Sequence, residues 1–328
     1  MTILVTGGAG YIGGHIVAAL TGRGEDVVVV DDLSAGRAER LRDAERPDIP
    51  LERIDLAAAD AAHNLAAVMR ARRATAVIHL AARKKVGESV ERPLWYYDQN
   101  LGGLLNVLRA AETVGVDGVV FSSTAAVYGP AEIPVAEDAP TAPANPYGET
   151  KLAGEWLLRD QTVAGRVRGI SLRYFNVAGA ARPELGDTAD SNIVPMVYSR
   201  IEAGERPLIF GDDYPTPDGT CIRDYVHVAD VASAHLAALD ALADKGAAPH
   251  RVFNIGTGTG SSVRELIGRM LAIAGSSLEP LVEPRRAGDP SRVVADAARI
   301  RAELGWSPKY GLEDMLSSAW GARRAGVR

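Results

Sequence analysis

Along the first half of the chain, short apolar runs alternate with longer stretches whose apolar residues recur at helical spacing. Thr2-Ile3-Leu4-Val5-Thr6 is such a run, and it gives way at once to Gly7-Gly8-Ala9-Gly10-Tyr11-Ile12-Gly13 before a helical pattern that continues through Leu20. The order predicts strand, glycine turn, helix. A second run, Val27-Val28-Val29-Val30, ends in Asp31. Further strands are predicted at 51–55, 75–80, 118–122 and 169–174, with helices near 61–71, 98–114 and 147–163 between them. Such alternation predicts an α/β fold with a parallel sheet. After Asn176 the pattern becomes less regular, with a stretch rich in Gly, Pro and Asp from Gly211 through Gly219. We therefore expect a first domain over 1–175 and a smaller α/β lobe over 176–328, of which about 220–242 returns to the first domain. In open parallel sheets ligands bind at the carboxyl ends of the strands, so the cleft between lobe and sheet is the expected substrate site.

The glycine turn carries chemistry. Gly7 permits a tight turn, Gly10 lets backbone approach a pyrophosphate, and Gly13 lets the helix pack on the strand with its N-terminus toward the phosphates. The spacing is GxxGxxG, which taken alone also describes an ordinary tight turn. Asp31 lies roughly 20 residues beyond it, where a ribose-binding acid belongs. A carboxylate there accepts from both adenosine ribose hydroxyls and repels a 2′-phosphate, so the cofactor read from these residues is NAD rather than NADP. The fold they predict is a Rossmann-type doubly wound sheet.

A second constellation is Tyr147-Gly148-Glu149-Thr150-Lys151, downstream of Phe121-Ser122-Ser123-Thr124. Tyr and Lys four apart share one face of a helix, and an ammonium near a phenol favours phenolate. A hydroxyl from Thr124 can share the proton with a substrate alcohol, whose oxidation then requires only a hydride acceptor. The alternative for Tyr147 and Lys151 is an ordinary exposed helix face.

Composition narrows the class. With 328 residues the chain can build a large core, and its net charge of -6 argues against nucleic acid as a partner. The arginines cluster most at Arg70, Arg72, Arg73 and at Arg323, Arg324, which read as solvated helix surface. A single cysteine, Cys221, excludes an internal disulfide and reads as a small packed side chain in a reducing compartment. There is no apolar run near 18 residues, and the expected location is cytoplasmic with no membrane partner. The six histidines are scattered, and although His227 and His235 are expected to share one helix, nothing completes a ligand set; no metal is expected.

More particular stretches are Lys84-Lys85-Val86-Gly87-Glu88-Ser89-Val90, Pro93-Leu94-Trp95-Tyr96-Tyr97-Asp98, Arg173-Tyr174-Phe175-Asn176, and Asp213-Tyr214-Pro215-Thr216-Pro217-Asp218-Gly219-Thr220 leading to Arg223-Asp224-Tyr225-Val226-His227-Val228. With the glycine turn and the Tyr147/Lys151 pair they make the chain resemble, nearly end to end, the UDP-glucose (UDP-galactose) 4-epimerases of the extended short-chain dehydrogenase/reductase superfamily. The resemblance implies Tyr147 as base, Thr124 as its hydroxyl partner, and Lys151 as the residue that anchors nicotinamide ribose and lowers the phenol pKa. It implies an NAD site lined by Gly7, Gly10, Tyr11, Ile12, Gly13, Asp31, Asp32, Leu33, Asp55, Leu56, Leu80, Ala81, Ala82, Lys84 and Phe175. For the nucleotide sugar it implies Asn176, Asn192, Ile193, Leu208, Phe210, Arg223, Arg286, Asp289 and Val293, with both arginines on the diphosphate and Phe210 near uracil. A homodimer is implied as well. Read without the resemblance, Arg223 beside Asp224 and Arg286 near Asp289 are surface ion pairs, Phe210 is core, Asn176 and Asn192 are turn or cap residues, and Lys84 is solvated.

The chain departs from the family pattern at Gln99, where Asn is frequent, and at Val293, where a bulky Tyr restricts some members to hexoses. The smaller side chain implies tolerance of N-acetylated sugars. Other readings are an epimerase of UDP-pentoses or UDP-uronates, a nucleotide-sugar 4,6-dehydratase, and a catalytically silent NAD-binding protein. Dehydratases place Asp-Glu after the active-site Thr, whereas Ala125-Ala126 follow Thr124 here, and the intact Tyr147, Lys151 and Thr124 argue against a silent protein.

Overall fold

The computed structural model describes residues 1–42, 49–130, 134–189, 191–244, 249–286 and 288–326. In chain order its first elements are β1 (Thr2–Thr6), α1 (Tyr11–Gly22), β2 (Asp26–Val30), β3 (Leu51–Glu52), α2 (Ala61–Arg72) and β4 (Ala76–His79). Then come α3 (Val86–Glu91), α4 (Pro93–Tyr97), a π turn (Asp98–Gly102), α5 (Gly103–Val114), β5 (Gly118–Thr124), α6 (Pro146–Val163) and β6 (Arg168–Tyr174). The remainder comprises β7 (Asn176–Ala178), α7 (Ile193–Glu202), β8 (Leu208–Phe210), β9 (Ile222–His227), α8 (Val228–Ala241) and β10 (His250–Ile255). The last are β11 (Gly260–Ser262), α9 (Val263–Ala274), β12 (Leu281–Glu283), β13 (Arg292–Val293), α10 (Ala298–Leu304) and α11 (Leu312–Arg324).

The chain divides into two compact units. The first comprises Met1–Val127, Pro143–Arg173 and Ala232–Phe253; the second Tyr128–Ala142, Tyr174–Val231 and Asn254–Arg328. Thus 128–142 groups with the second unit, and the returning segment is 232–253, later than the 220–242 expected from sequence. Helix α8 accounts for the shift, because its buried Ala232, Ala234, His235 and Ala238 belong to the first unit's core segment.

The first unit is built on a seven-stranded sheet in the order β10-β6-β5-β4-β1-β2-β3. Pairings of β3 with β2, β2 with β1, β1 with β4, and β4 with β5 are parallel. Strand β1 therefore lies between β2 and β4, and the chain's direction of winding reverses there, which is where open α/β sheets bind ligands. Leu4, Val28, Val77 and Val119 are buried with Leu65, Met69, Leu104 and Leu108 from the helices that cover the sheet. Both faces are apolar, which is why these strands read as continuous runs and not as alternation. Where 51–55 was expected to be a strand, only Leu51–Glu52 pairs at the sheet edge. The single helix expected over 98–114 instead starts with the π turn.

The second unit holds a four-stranded sheet of β7, β9, β11 and β13 and a two-stranded β8–β12 ribbon. Its core gathers Val197, Tyr198, Leu266, Ile267, Met270 and Leu316. His227 ends strand β9, whereas His235 lies in α8, so the two do not share a helix. Buried Cys221 is a packed side chain. Among the described residues, no helix is long and apolar enough to cross a membrane.

Candidate active site

The glycine turn is fixed by crowding. Gly7 has φ +72°, and a Cβ on it would come within 2.7 Å of the Ala81 nitrogen, so the turns after β1 and β4 touch backbone to backbone. A Cβ on Gly13 would overlap the Gly7 carbonyl oxygen, which is the close helix–strand packing that the third glycine permits. Gly10 is the N-cap of α1 and supplies no side chain to its first-turn amides, which suits an anion at that end. At the end of β2, buried Asp31 accepts from the Ala9 amide at 3.0 Å and the Leu33 amide at 2.9 Å. Burial raises its pKa and these backbone bonds oppose the rise. Leu33 itself has φ +60°, an unusual conformation for a branched residue. These features fit a dinucleotide: an amide-lined helix start, backbone without side chains, and an acid at the ribose position.

The other expected cofactor residues in the first unit lie at the carboxyl ends of its strands. Tyr11 and Ile12 open α1, Asp32 follows Asp31, and Leu80, Ala81, Ala82 and exposed Lys84 follow β4. Asp55 and Leu56 follow β3, where Asp55 caps the Ala57 amide at 2.9 Å and Asn106 holds the Leu56 carbonyl at 2.9 Å. Phe175 belongs to the second unit and is buried there.

Tyr147 and Lys151 project from the first turns of α6. The helix starts where Asn145 caps the Gly148 amide at 3.0 Å and Pro146 takes the first helical position. Thr124 ends β5, and its hydroxyl is hydrogen-bonded with the Tyr147 phenol. Burial pushes that phenol above its ordinary pKa, and the Thr124 bond opposes the shift. Lys151 is 4% exposed and donates to the Ser122 carbonyl at 2.8 Å, with its ammonium 5.0 Å from the Phe121 ring centre. Burial holds its pKa down to about 7, against the pull of Glu155. The expected electrostatic lowering of the phenol by Lys151 is thus not what governs Tyr147 in this geometry; burial and Thr124 do.

Beneath this group lies a layer that no local pattern announces. Glu155 is buried and accepts a fork from Arg173, Nε to Oε1 at 2.8 Å and Nη2 to Oε2 at 2.6 Å, and it also accepts from Ser123 at 2.5 Å. His79, stacked on Phe121, is held neutral by burial and by the Lys151 charge, its pKa down to about 3. Arg173 stood in a recognisable motif, but its partner lies in another element, so only the three-dimensional arrangement gives it a role.

In the second unit Arg223 pairs with Asp289 at 3.7 Å, and Arg286 lies 3.9 Å over the Phe210 ring. The sequence neighbours are therefore not the partners: Asp224 is fully buried and accepts from Thr257, Gly258 and Ala295 amides at 2.9, 2.9 and 3.1 Å. That acid ties β9 to the segment after β13 and so fixes the register of Arg223 beside Val293. Asn176 is exposed and reaches the Asp224 carbonyl at 3.3 Å. Asn192 precedes Ile193 at the start of α7 and bonds Asp187 at 2.5 Å, while Leu208 and Phe210 bound β8. All these residues fall in the second unit, as Phe175 does, with Arg223, Asp289, Phe210, Arg286 and Val293 on or beside β8, β9 and β13.

Residues 3–256 match the model of the NAD dependent epimerase/dehydratase family. The UDP-glucose 4-epimerase of Azospirillum brasilense is 46% identical over 323 residues, covering 97% of this chain and 90% of that protein. A UDP-glucose 4-epimerase from Stenotrophomonas maltophila, solved with NAD and formylated UDP-arabinopyranose, superposes with TM-score 0.92 at 41% identity over 99% of this chain and 98% of that one. The UDP-Glc/GlcNAc 4-epimerase of Campylobacter jejuni superposes with TM-score 0.85 at 39% identity, covering 99% of both. With a family model spanning most of its length and relatives of this identity along nearly all of it, the chain belongs to the NAD dependent epimerase/dehydratase family.

Proposed function

We propose that this protein is an NAD-dependent 4-epimerase that interconverts UDP-glucose and UDP-galactose. The observation that carries the reading is the hydrogen-bonded Tyr147–Thr124 hydroxyl pair at the end of β5, with Lys151 buried one turn along α6. Tyr147 removes the proton from the sugar 4-hydroxyl and Thr124 holds the phenol oxygen in line. NAD, when bound, would supply the acceptor for the hydride of carbon 4 and its return to the opposite face. Tyr147 then gives the proton back, so the two half-reactions balance and no net oxidation remains. Gly7 and Gly10 would cradle the cofactor's pyrophosphate at the helix start that Gly13 packs against β1, Asp31 would hold its adenosine ribose, and Lys151 its nicotinamide ribose. Arg223 and Arg286 neutralise the substrate diphosphate, Phe210 packs by the uracil, and Asn176, Asn192 and Asp289 orient the rest. The test is to incubate purified protein with UDP-galactose, without added reductant, and follow UDP-glucose by chromatography; no product from protein loaded with NAD overturns the reading.

Val293 supports a broader sugar range. It is partly exposed on β13 beside Arg223, and its side chain is small where a Tyr would fill space. UDP-N-acetylglucosamine is expected to be converted to its 4-epimer, and Val293→Tyr to suppress that conversion at least tenfold while UDP-galactose turnover persists. Absence of N-acetylated product from the parent enzyme refutes this.

A homodimer is supported by an apolar face on neighbouring helices of the first unit: Val86 and Val90 of α3, Leu94 of α4 and Trp156 of α6 are 48, 62, 80 and 50% exposed. Side chains of this size in one area mark an interaction surface. Light scattering is expected to give twice the chain mass of 34.6 kDa, and Trp156→Glu to shift it toward the monomer; a monomeric parent refutes the assignment. A cytoplasmic location agrees with the single buried thiol.

A further inference from the structure

We propose that Arg83 is a positioning residue that clasps the adenosine end of the cofactor site and sets how slowly NAD leaves. Arg83 follows β4, yet its side chain reaches the turn after β2, passing from one side of β1 to the other in the sheet order β4-β1-β2. One terminal nitrogen donates to Ser34 Oγ at 2.8 Å, the other to Asp32 Oδ2 at 3.2 Å. Asp32 in turn accepts from the Ser34 amide at 2.9 Å and hydroxyl at 2.5 Å, so the guanidinium joins a closed polar ring next to Asp31.

The rear of the guanidinium is anchored too. Its Nε and Nη2 both donate to Gln99 Oε1, at 3.2 and 3.1 Å, and it lies 5.0 Å from the Trp95 ring centre. Asn100 holds the backbone on both sides, accepting from the Arg83 amide at 2.8 Å and donating to its carbonyl at 3.1 Å. Both Gln99 and Asn100 lie in the π turn, so one short segment supplies the acceptor for the side chain and the clamp on the backbone. Gln99, the position at which this chain departs from the family, thus has a definite part: its longer side chain accepts the Arg83 fork.

A dinucleotide lying over the ends of β2, β1 and β4 meets the Asp31–Ser34 turn and the Leu80–Arg83 turn, the two segments that Arg83 holds at fixed spacing. Opening the adenosine end requires breaking its bonds to Ser34 and Asp32. Its side chain is 24% exposed and Asp32 30%, so each contact is only partly screened. Losing the set is expected to speed release about tenfold, equivalent to one factor of ten in an equilibrium constant.

The experiment loads the enzyme with NAD, adds excess isotopically labelled NAD, and follows exchange into the protein-bound pool by mass spectrometry. Arg83→Met, which keeps the stem and removes every donor, is expected to exchange about tenfold faster, with Arg83→Lys intermediate because it keeps charge but not the fork. Gln99→Leu, which frees the rear of the guanidinium, is expected to accelerate exchange by a smaller factor and decides the matter if Arg83→Met does not fold. A merely structural Arg83 lowers the melting temperature of NAD-free and NAD-loaded protein equally and leaves exchange unchanged. Exchange within twofold of the parent in the folded variants overturns the proposal.

Discussion

Tyr147→Phe is expected to lower kcat for UDP-galactose by about 10²- to 10⁴-fold, the range over which a positioned proton-transfer group acts. The ring stays, so α6, its Asn145 cap and the packing around Gly148 are retained. Only the phenol oxygen goes, and with it the proposed acceptor for the substrate proton and the bond with Thr124. Melting temperature and NAD affinity are expected to match the parent, which separates loss of chemistry from loss of fold. Thr124→Val extends the test. Because the Thr124 bond opposes the upward push of burial on the phenol, its removal raises the phenol pKa further, slows turnover at neutral pH and is partly offset at higher pH. A Tyr147→Phe enzyme with kcat within threefold of the parent would remove Tyr147 from the proton path.

Lys151→Met is expected to lower kcat by about 10²-fold or more and yet leave the protein no less stable at pH 7. The reason lies in the sign of its pKa shift. Burial brings the folded value from the ordinary 10.5 down to about 7, so between those values the unfolded chain binds more protons than the folded one. Stability of the parent therefore rises with pH across that window, and the cost of burying the ammonium is fully present below about pH 7. Methionine carries no charge to bury. Its variant should melt at or above the parent at pH 7, and the difference should narrow steadily as pH is raised from about 7 toward 10.5. A difference in melting temperature that stays constant with pH would show that Lys151 does not titrate as its burial requires.

These two residues also show what a linear chain reveals. Tyr147 and Lys151 stand four apart in one helix, and the Asn-Pro start of that helix is written beside them, so their common face was legible. The same holds for β1, the glycine turn and Asp31, which follow one another within a single βα unit and its next strand. Arg173, Glu155 and Ser123 were illegible as a group because three elements supply them, and the acceptor of Lys151 is a backbone carbonyl that any residue at 122 would offer. Proximity in sequence misled at Arg223 and Arg286, whose neighbours Asp224 and Asp289 suggested pairs that the fold does not make. Strand alternation turns successive side chains to opposite faces, so Asp224 goes inward to amides while Arg223 goes toward Asp289. At His227 the sequence reads as helix because apolar residues continue from β9 into α8 without a turn residue to punctuate them.

The division of the chain has a genetic consequence. Because the two compact units exchange the chain at 127/128, 142/143, 173/174, 231/232 and 253/254, neither is encoded by one uninterrupted stretch of its gene. A fragment stopped at residue 175 would lack β10, leaving β6 as an unprotected sheet edge, and would leave Ser122 without the His235 imidazole 3.0 Å away. Shuffling of contiguous gene segments or simple truncation cannot exchange the second unit while keeping the first whole. New substrate preferences in such a chain arise by substitutions within it and not by recombination of ready-made modules.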